Sequence, residues 1–467
     1  MTGQYDFIIV GSGSAGGVLA HNLTQAGARC LLLEAGKYFR KETFPQNEGD
    51  ASAQLYWGGG FELSHDASMA FLRGKVVGGG SIVNQALMDR FDDVAFDDWR
   101  DESGVDFFSL PNMAPYYDKI ESVLALHTFV TAERNRNAEL FAGGCQASGY
   151  QWQFLRRAQD DCGLEEGNDC VGCLGGCHRD SKQSTMVKFI RPAEEMGLTV
   201  MAETAVTGFQ ENNDSVTVYA VQDGTRHSFR ARSLILAAGA LGTTSLLLQN
   251  GWQAKHAALG KYFASHPQYM FFGVYDQPIN AHKGYFQTVN SKDPGFRPRG
   301  FKLENVFAGP ATTALLFTGY GRPHQNLMRQ YRYMTCAEVA IRDENAGEIK
   351  VGKNGRLVIK KVLTNQDQQR MKDGSAVLKE ILAASGAKQV IESPFYFGLH
   401  LMGGCRMGVD PAASVVDPDF KLRGGKNIYV CDSSLFPNAP GINPALTIMA
   451  LAQRLSQQLN ENRNAIC

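Results

Sequence analysis

The sequence predicts an α/β domain of Rossmann type joined to an α+β substrate domain whose sheet is largely antiparallel. Three observations carry this. A glycine-rich strand–turn–helix opens the chain, and apolar runs ending in Gly or an acid recur near residues 233–239 and 427–432. Between them lie apolar or alternating runs of strand length. With 467 residues, two domains are the natural division.

The opening unit comes first. Tyr5 to Val10 is apolar and β-branched, the pattern of a buried parallel strand. It breaks into Gly11-Ser12-Gly13-Ser14-Ala15-Gly16, a G-x-G-x-x-G turn, before a helix from Ala15 to Ala26. A second strand, Ala28 to Leu33, ends on Glu34. Strand, glycine turn, helix, strand and acid together form the dinucleotide-binding unit. Gly11 permits the tight turn, Gly13 lets a pyrophosphate reach the backbone, and Gly16 lets helix and strand pack closely. Free N–H groups at the helix start hold phosphate, and Glu34 accepts from a ribose. The glutamate and the unit's place at the N-terminus favour FAD over NAD.

Composition narrows the function. Apolar residues at 44% and charged residues at 20% describe an ordinary globular chain. A net charge of -1 offers no attraction for nucleic acid or anionic membrane. No run is long enough for a transmembrane segment. Only four residues precede the first strand, which leaves no room for a signal peptide. The expected location is cytoplasmic, or periplasmic if a partner carries the export signal.

Arg73 to Asn84 holds a second glycine loop, Gly78-Gly79-Gly80-Ser81, ahead of an apolar helix start. Phe96 to Trp99 and Pro115 to Glu121 read as helical, and Ala132 to Asp169 as an insertion of mixed polarity. Leu198 to Ala202 reads as a strand, followed by a hairpin of Val216–Tyr219 with Ser228–Ala231. Ser233 to Gly239 follows as a separate central strand that leads into a helix. Tyr269–Tyr275, Ala314–Tyr320, Met334–Arg342 and Leu357–Val362 are expected as strands of the second domain, with a helix at Asn365–Ala384.

The stretch from Arg73 to Asn84 resembles the first signature of the glucose–methanol–choline (GMC) oxidoreductases, FAD-dependent enzymes that oxidise alcohols. It departs from that pattern at Met88. Ala240 to Gly251 is similar to the second signature, with Thr244 for a Pro and Asn250 for a Ser. Leu259 to Pro267 resembles the segment leading out of the FAD domain, which implies a structural role for His266. The resemblance implies an FAD domain in three segments, residues 1–95, 170–267 and 391–467. Residues 96–169 form a helical insert and cap, and 268–390 the substrate domain. It implies flavin contacts from Val77, Gly78, Gly79, Ser81 and Asn84, from Ala238, and from Pro444, Ala445 and Thr447. Some members attach FAD to a His that aligns with Val83, so non-covalent FAD is implied here.

Gly398 to Gly408 is a dense stretch containing His400, and Asn427 to Asp432 is a strand ending in an acid. Asn443-Pro444-Ala445-Leu446-Thr447 opens the last helix. By resemblance His400 and Asn443 are the catalytic pair, and Asp432 lies near the flavin's ribityl and pyrophosphate groups. Alcohol oxidation moves a hydride to flavin N5 while the hydroxyl proton leaves. A neutral His400 is expected to take that proton, and Asn443 to orient the substrate oxygen.

Four of the 10 Cys, at positions 162, 170, 173 and 177, share a glycine-rich loop. Cys162, Cys170, Cys173 and Cys177 suit an iron–sulfur cluster, [3Fe-4S] or [4Fe-4S], or a structural zinc, or no metal. Some bacterial GMC dehydrogenases carry a cluster on a similar run with different spacing. The expected function is FAD-dependent alcohol oxidation, with electrons leaving through the cluster to a protein or quinone partner. An oxygen-reducing oxidase and a redox-neutral lyase or isomerase retaining FAD stay open, as does a non-enzymatic electron carrier. Phe395, Tyr396 and Phe397 are candidate pocket aromatics.

Overall fold

Tyr5–Val10 lies inside a seven-stranded sheet in the computed structural model, which describes residues 4–164, 170–344, 346–353 and 355–464. Thr199–Met201, Cys30–Leu33 and Tyr5–Val10 run parallel to one another and to the end of Thr225–Leu236. Ile8, Ile9, Leu31, Leu32, Leu234 and Ile235 are fully buried. Helices cover both faces of such a sheet, which is why these strands are uniformly apolar and do not alternate. Ser14–Gln25 and the C-terminal helix Ala445–Asn464 pack together over it.

The expected hairpin strand and central strand prove to be one. Thr225–Leu236 runs unbroken, pairing antiparallel with Val216–Gln222 through Ala231 and parallel with Tyr5–Val10 from Ala231 onward. Past that point Ile428–Val430 takes over the outer edge in parallel register. The polar break near Arg232 changes the partner without interrupting the strand. The parallel part is thus assembled from segments far apart in the chain, near residues 5–33, 199–236 and 428–430.

Among the described residues the second sheet has nine strands, mostly antiparallel. Ala264–Val274, Met334–Ile341 and Phe301–Asn305 are adjacent, flanked by Tyr396–Met402 and Val289–Ser291. Alternation assigns the faces. Phe271, Leu303, Phe301, Ala337, Val339 and Ile341 turn to the helix Asn365–Ala384, meeting its Met371, Val377, Leu378 and Ile381. Gln268, Met270, Glu304, Cys336 and Glu338 turn the other way, into the large cavity. Ala314–Tyr320, expected as a strand, is not one. Pro310–Leu315 is a short helix and residues 316–320 form no strand, because Pro310 occupies the first helical turn.

Candidate functional site

A cavity of about 1500 Å³ lies between the two sheets, large enough for a dinucleotide with a substrate beside it. Gly11, Ser12, Gly13, Ser14 and Ala15 line one end. Gly11 has φ +95°, and a Cβ there would sit 2.5 Å from the Ala237 carbonyl oxygen. On Gly16 a Cβ would sit 1.8 Å from the Gly11 carbonyl oxygen, so Gly16 serves packing and does not itself line the cavity. A Cβ on Gly13 meets nothing within 4 Å. The helix begins at Gly13 with no side-chain cap, leaving its first N–H groups for an anion. These features fit the pyrophosphate of FAD.

Glu34 is buried at the end of its strand, and burial raises its carboxyl pKa. Its Oε2 accepts from the Ser12 N–H at 3.0 Å and hydroxyl at 2.6 Å, and its Oε1 from the Gly36 N–H at 2.9 Å. Those bonds fix the carboxylate in the cavity lining, a position that fits the ribose of FAD. Among the second-loop residues, Gly79 and Asn84 line the cavity, while Val77, Gly78 and Ser81 stand behind it. Ser81 donates to the Gly78 carbonyl at 2.6 Å and meets the Thr185 hydroxyl, so it braces the loop and is not in the lining. A Cβ on Gly79 would lie 2.8 Å from Gly13 Cα, which is how the two glycine loops close on one another.

Ala238, Asp432, Pro444 and Ala445 line the cavity. Asp432 also caps the helix Gly239–Gln249, accepting from the Gly239 N–H at 2.9 Å and the Thr243 hydroxyl at 2.6 Å. Thr447 is the exception at this end. Its fully buried hydroxyl meets Tyr117 Oη at 2.6 Å, outside the lining, so it joins two helices and offers the flavin no side-chain contact. Val83 lines the cavity, and an isopropyl group forms no covalent bond to a flavin. Acid precipitation of the purified yellow protein should therefore release all its FAD. Colour remaining in the pellet would show a covalent link.

His400 sits on Tyr396–Met402, with a positive φ of 55°. The register to Ala264–Val274 slips there, His400 and Leu401 on one strand facing Ser265 alone on the other. This bulge turns His400 out of the ladder and into the lining. Its Nδ1 lies 2.9 Å from His266 Nδ1. On the far side of His266, the Gly441 N–H donates to Nε2 at 2.9 Å. An N–H can only donate, so His266 Nε2 is the bare nitrogen and its proton resides on Nδ1. That proton points to His400 Nδ1, and neutral His400 therefore carries its own on Nε2. A further proton would have to enter the occupied space between the rings. Both pKa values agree: burial, and then Lys302, depress His400 to about 3, while burial and then His400 take His266 well below 6.5. His266, expected to be structural, sets the tautomer of the residue expected to be catalytic. Its value was invisible because a bulge and a third segment bring the partners together.

Asn443 is equally fixed. Its Oδ1 accepts from Lys302 Nζ at 2.7 Å, and its Nδ2 donates to Asp89 at 3.2 Å. One amide hydrogen remains for the cavity. Lys302 also donates to Glu304 at 2.9 Å. Burial opposes the Lys302 charge, but Glu304 and Asp89 outweigh it and hold the ammonium more basic than a free lysine. Glu338 faces Glu304 directly across the strands. Burial, and then Glu304, push the Glu338 carboxyl up to about 8. Lys302, Glu304 and Glu338 escaped the sequence reading. Their signal was a charged residue on the cavity side of strands whose other side is apolar.

The thiol loop behaves differently. Cys162 Sγ lies 3.2 Å from the Ser181 hydroxyl, Cys177 Sγ accepts from the Lys182 N–H at 3.4 Å, and Cys173 Sγ accepts from Arg157 at 3.9 Å. The side chain of Cys170 lies outside the described residues. Among the described residues, no three His, Cys, Asp or Glu side chains gather as metal ligands. The expected cluster therefore gains no support from the three described thiols, each turned to its own polypeptide partner. Among the described residues no helix is long and apolar enough to cross a membrane.

Comparison with known proteins meets this geometry from the other side. The chain is 27% identical to a GMC-type oxidoreductase of Sinorhizobium fredii, over 97% of this chain and 94% of that protein. It is 25% identical to the long-chain-alcohol oxidase FAO4B of Arabidopsis thaliana, over 97% of this chain and 67% of that one. Pyridoxine 4-oxidase from Mesorbium loti has the same fold, with a TM-score of 0.78 at 17% identity, over 98% of this chain and 99% of that one. Residues 5–268 match the N-terminal and 348–452 the C-terminal profile of the GMC oxidoreductases. Those spans take in the glycine cradle, the bulge that aims His400, and Asn443, and with them the chain belongs to the GMC oxidoreductase family of FAD-dependent enzymes.

Proposed function

We propose that the protein oxidises an alcohol held against His400 and Asn443. The observation that carries this is that one cavity is lined by two fixed donors, the Nε2–H of His400 and the free amide hydrogen of Asn443. Bound FAD supplies the hydride acceptor. The protein supplies the place for the substrate oxygen. Two donors, with the Lys302 ammonium behind Asn443, stabilise negative charge on that oxygen as its proton leaves. His400 acts in this scheme as a donor, where the sequence led us to expect an acceptor, because its outward nitrogen already holds a proton. We assign the hydroxyl proton to the carboxyl pair of Glu304 and Glu338 on the same wall.

This assignment fixes a pH dependence. Glu338 accepts only when ionised, so kcat/KM should rise about ten-fold per pH unit and level off above about 8. Glu338→Gln should remove that limb. A limb that persists in Glu338→Gln would take the acceptor role away from Glu338.

Oxygen is the acceptor this reading favours over a protein or quinone. The support is the similarity to long-chain-alcohol oxidases, together with the separate partners of the three described thiols. A panel of alcohols run in an oxygen electrode beside an artificial dye tests it. Dye reduction without oxygen uptake would make the protein a dehydrogenase, and a flavin that no alcohol bleaches anaerobically would make it a lyase or isomerase.

A further inference from the structure

The net charge of -1 averages over an uneven surface. From Gly309 to Ala337, and again from Ile349 to Leu363, the chain has no Asp or Glu, yet it carries Arg322, Arg329, Arg332, Lys353, Arg356 and Lys360. All six are exposed, and among the described residues none of them is ion-paired. Gly321–Arg329 is a helix without one buried residue. Its Leu327 and Met328 lean on the core, which leaves Arg322 and Arg329, two turns apart, on the solvent side.

Both stretches border the cavity, through Leu315 and Leu316 of the first and Leu357 of the second, and the mouth there is apolar. Phe61, Leu63, Leu315 and Phe395 are 47% to 56% exposed while also lining the cavity. Tyr320, five residues beyond Leu315, is 91% exposed. Single apolar side chains at a surface need no explanation, but these are joined. The Ser393 hydroxyl donates to the Leu316 carbonyl and accepts from the Phe395 N–H. Phe395 leads into Tyr396, which pairs with Met69, and the next residue on that strand, Ala70, pairs with Leu63. Beyond Leu63, the His65 N–H donates to the Ile359 carbonyl, beside Lys360. The carboxylates of this rim are already engaged. Glu62 pairs with Arg73, Glu48 accepts from the Ala311 and Thr312 N–H groups, and Asp66 accepts from Ser64 and Ser68.

We propose that this face docks on an anionic phospholipid surface, the apolar rim entering the boundary between headgroups and acyl chains and the cations resting on lipid phosphates. Apolar side chains backed by unpaired cations match both layers of a bilayer interface. An acidic protein would meet the cations, but by covering the rim it would shut the cavity, whereas a bilayer leaves the mouth open into lipid. A second copy would set the same six cations against these and be repelled. No step of the proposal involves turnover, so it stands independently of the alcohol-oxidising reading.

The test is flotation of the FAD-loaded protein with phosphatidylcholine vesicles, with and without about 30% phosphatidylserine. Binding to the anionic vesicles should exceed binding to the neutral ones by at least about ten-fold, and should fall by a similar factor between about 0.05 and 0.5 M salt. Arg322→Glu combined with Arg329→Glu should weaken it by at least about 30-fold. Leu315→Ser combined with Tyr320→Ser should weaken it on both vesicle types. Tyr320→Trp adds a reporter whose emission should shift to the blue on binding and be quenched by brominated lipid. Flavin absorbance checks that each variant is folded, and the wild-type salt series decides for any that is not. Absence of flotation with anionic vesicles overturns the proposal. So does binding that survives both high salt and the charge reversals, or a Tyr320→Trp reporter that brominated lipid leaves unquenched, since another face would then hold the membrane. Binding of polyglutamate but of neither vesicle would give the face to an acidic polypeptide, and self-association abolished by Tyr320→Ser, without flotation, would give it to a second copy. Either result overturns the lipid assignment.

Discussion

Replacing His400 by Ala should lower kcat by about 10²–10³ while FAD stays bound, the loss of about 2.7–4 kcal/mol seen when one fixed donor to a developing oxyanion is removed. The discriminating variant is His400→Gln. A glutamine side chain keeps an N–H donor but cannot take up a proton at any working pH. If the Nε2–H of His400 orients and stabilises the substrate oxygen, His400→Gln should recover at least ten-fold over His400→Ala. If His400 were the proton acceptor, the two variants should be equally poor. Stopped-flow bleaching of the flavin under anaerobic conditions reads the step directly, and the flavin absorbance of each variant confirms that the cofactor is retained. Equal rates for Ala and Gln would sink the donor role and the tautomer derivation behind it.

Much of this fold was legible because its strongest signals are local. A buried parallel strand breaking into G-x-G-x-x-G needs only contiguous residues to be read, and Gly11, Gly13 and Gly16 hold the places their spacing gave them. Asn365–Ala384 was equally plain, with Thr364 and Asp367 making a capping box at its start. The failures share one physical cause, dependence on partners distant in sequence. Thr225–Leu236 looks like two strands because its partner changes at Ala231. Ala314–Tyr320 is apolar at strand spacing but follows a Pro in a helical first turn. Thr447 is polar at a cofactor-facing end of its helix, yet Tyr117, more than 300 residues earlier, claims its hydroxyl. The surroundings of His400 were hardest. Its tautomer depends on one backbone N–H, that of Gly441, acting through His266. No spacing rule reports a tautomer.

Gly13→Ala and Gly16→Ala should separate binding from folding. Gly13 has φ -66°, which alanine adopts without strain, and a Cβ there meets no protein atom within 4 Å. That empty space is where the dinucleotide's phosphates lie if the helix start is their anion site. Gly13→Ala should therefore fold normally and lose FAD affinity by at least about 10²-fold, since a methyl group keeps the pyrophosphate off the N–H groups. Gly16→Ala meets a different obstacle. Its Cβ would lie 1.8 Å from the Gly11 carbonyl oxygen, and a backbone atom cannot swing aside as a side-chain tip can. The helix must move from the strand, which opens the core around Val18, Leu19 and Leu23. The melting temperature of flavin-free Gly16→Ala should fall well below that of flavin-free wild type, whereas flavin-free Gly13→Ala should match it. The pair is measured by thermal unfolding without FAD and by FAD titration of fluorescence quenching. Stoichiometric FAD in Gly13→Ala would mean that the pyrophosphate does not lie over Gly13, and the cradle would have to be rebuilt around the second glycine loop at Gly79.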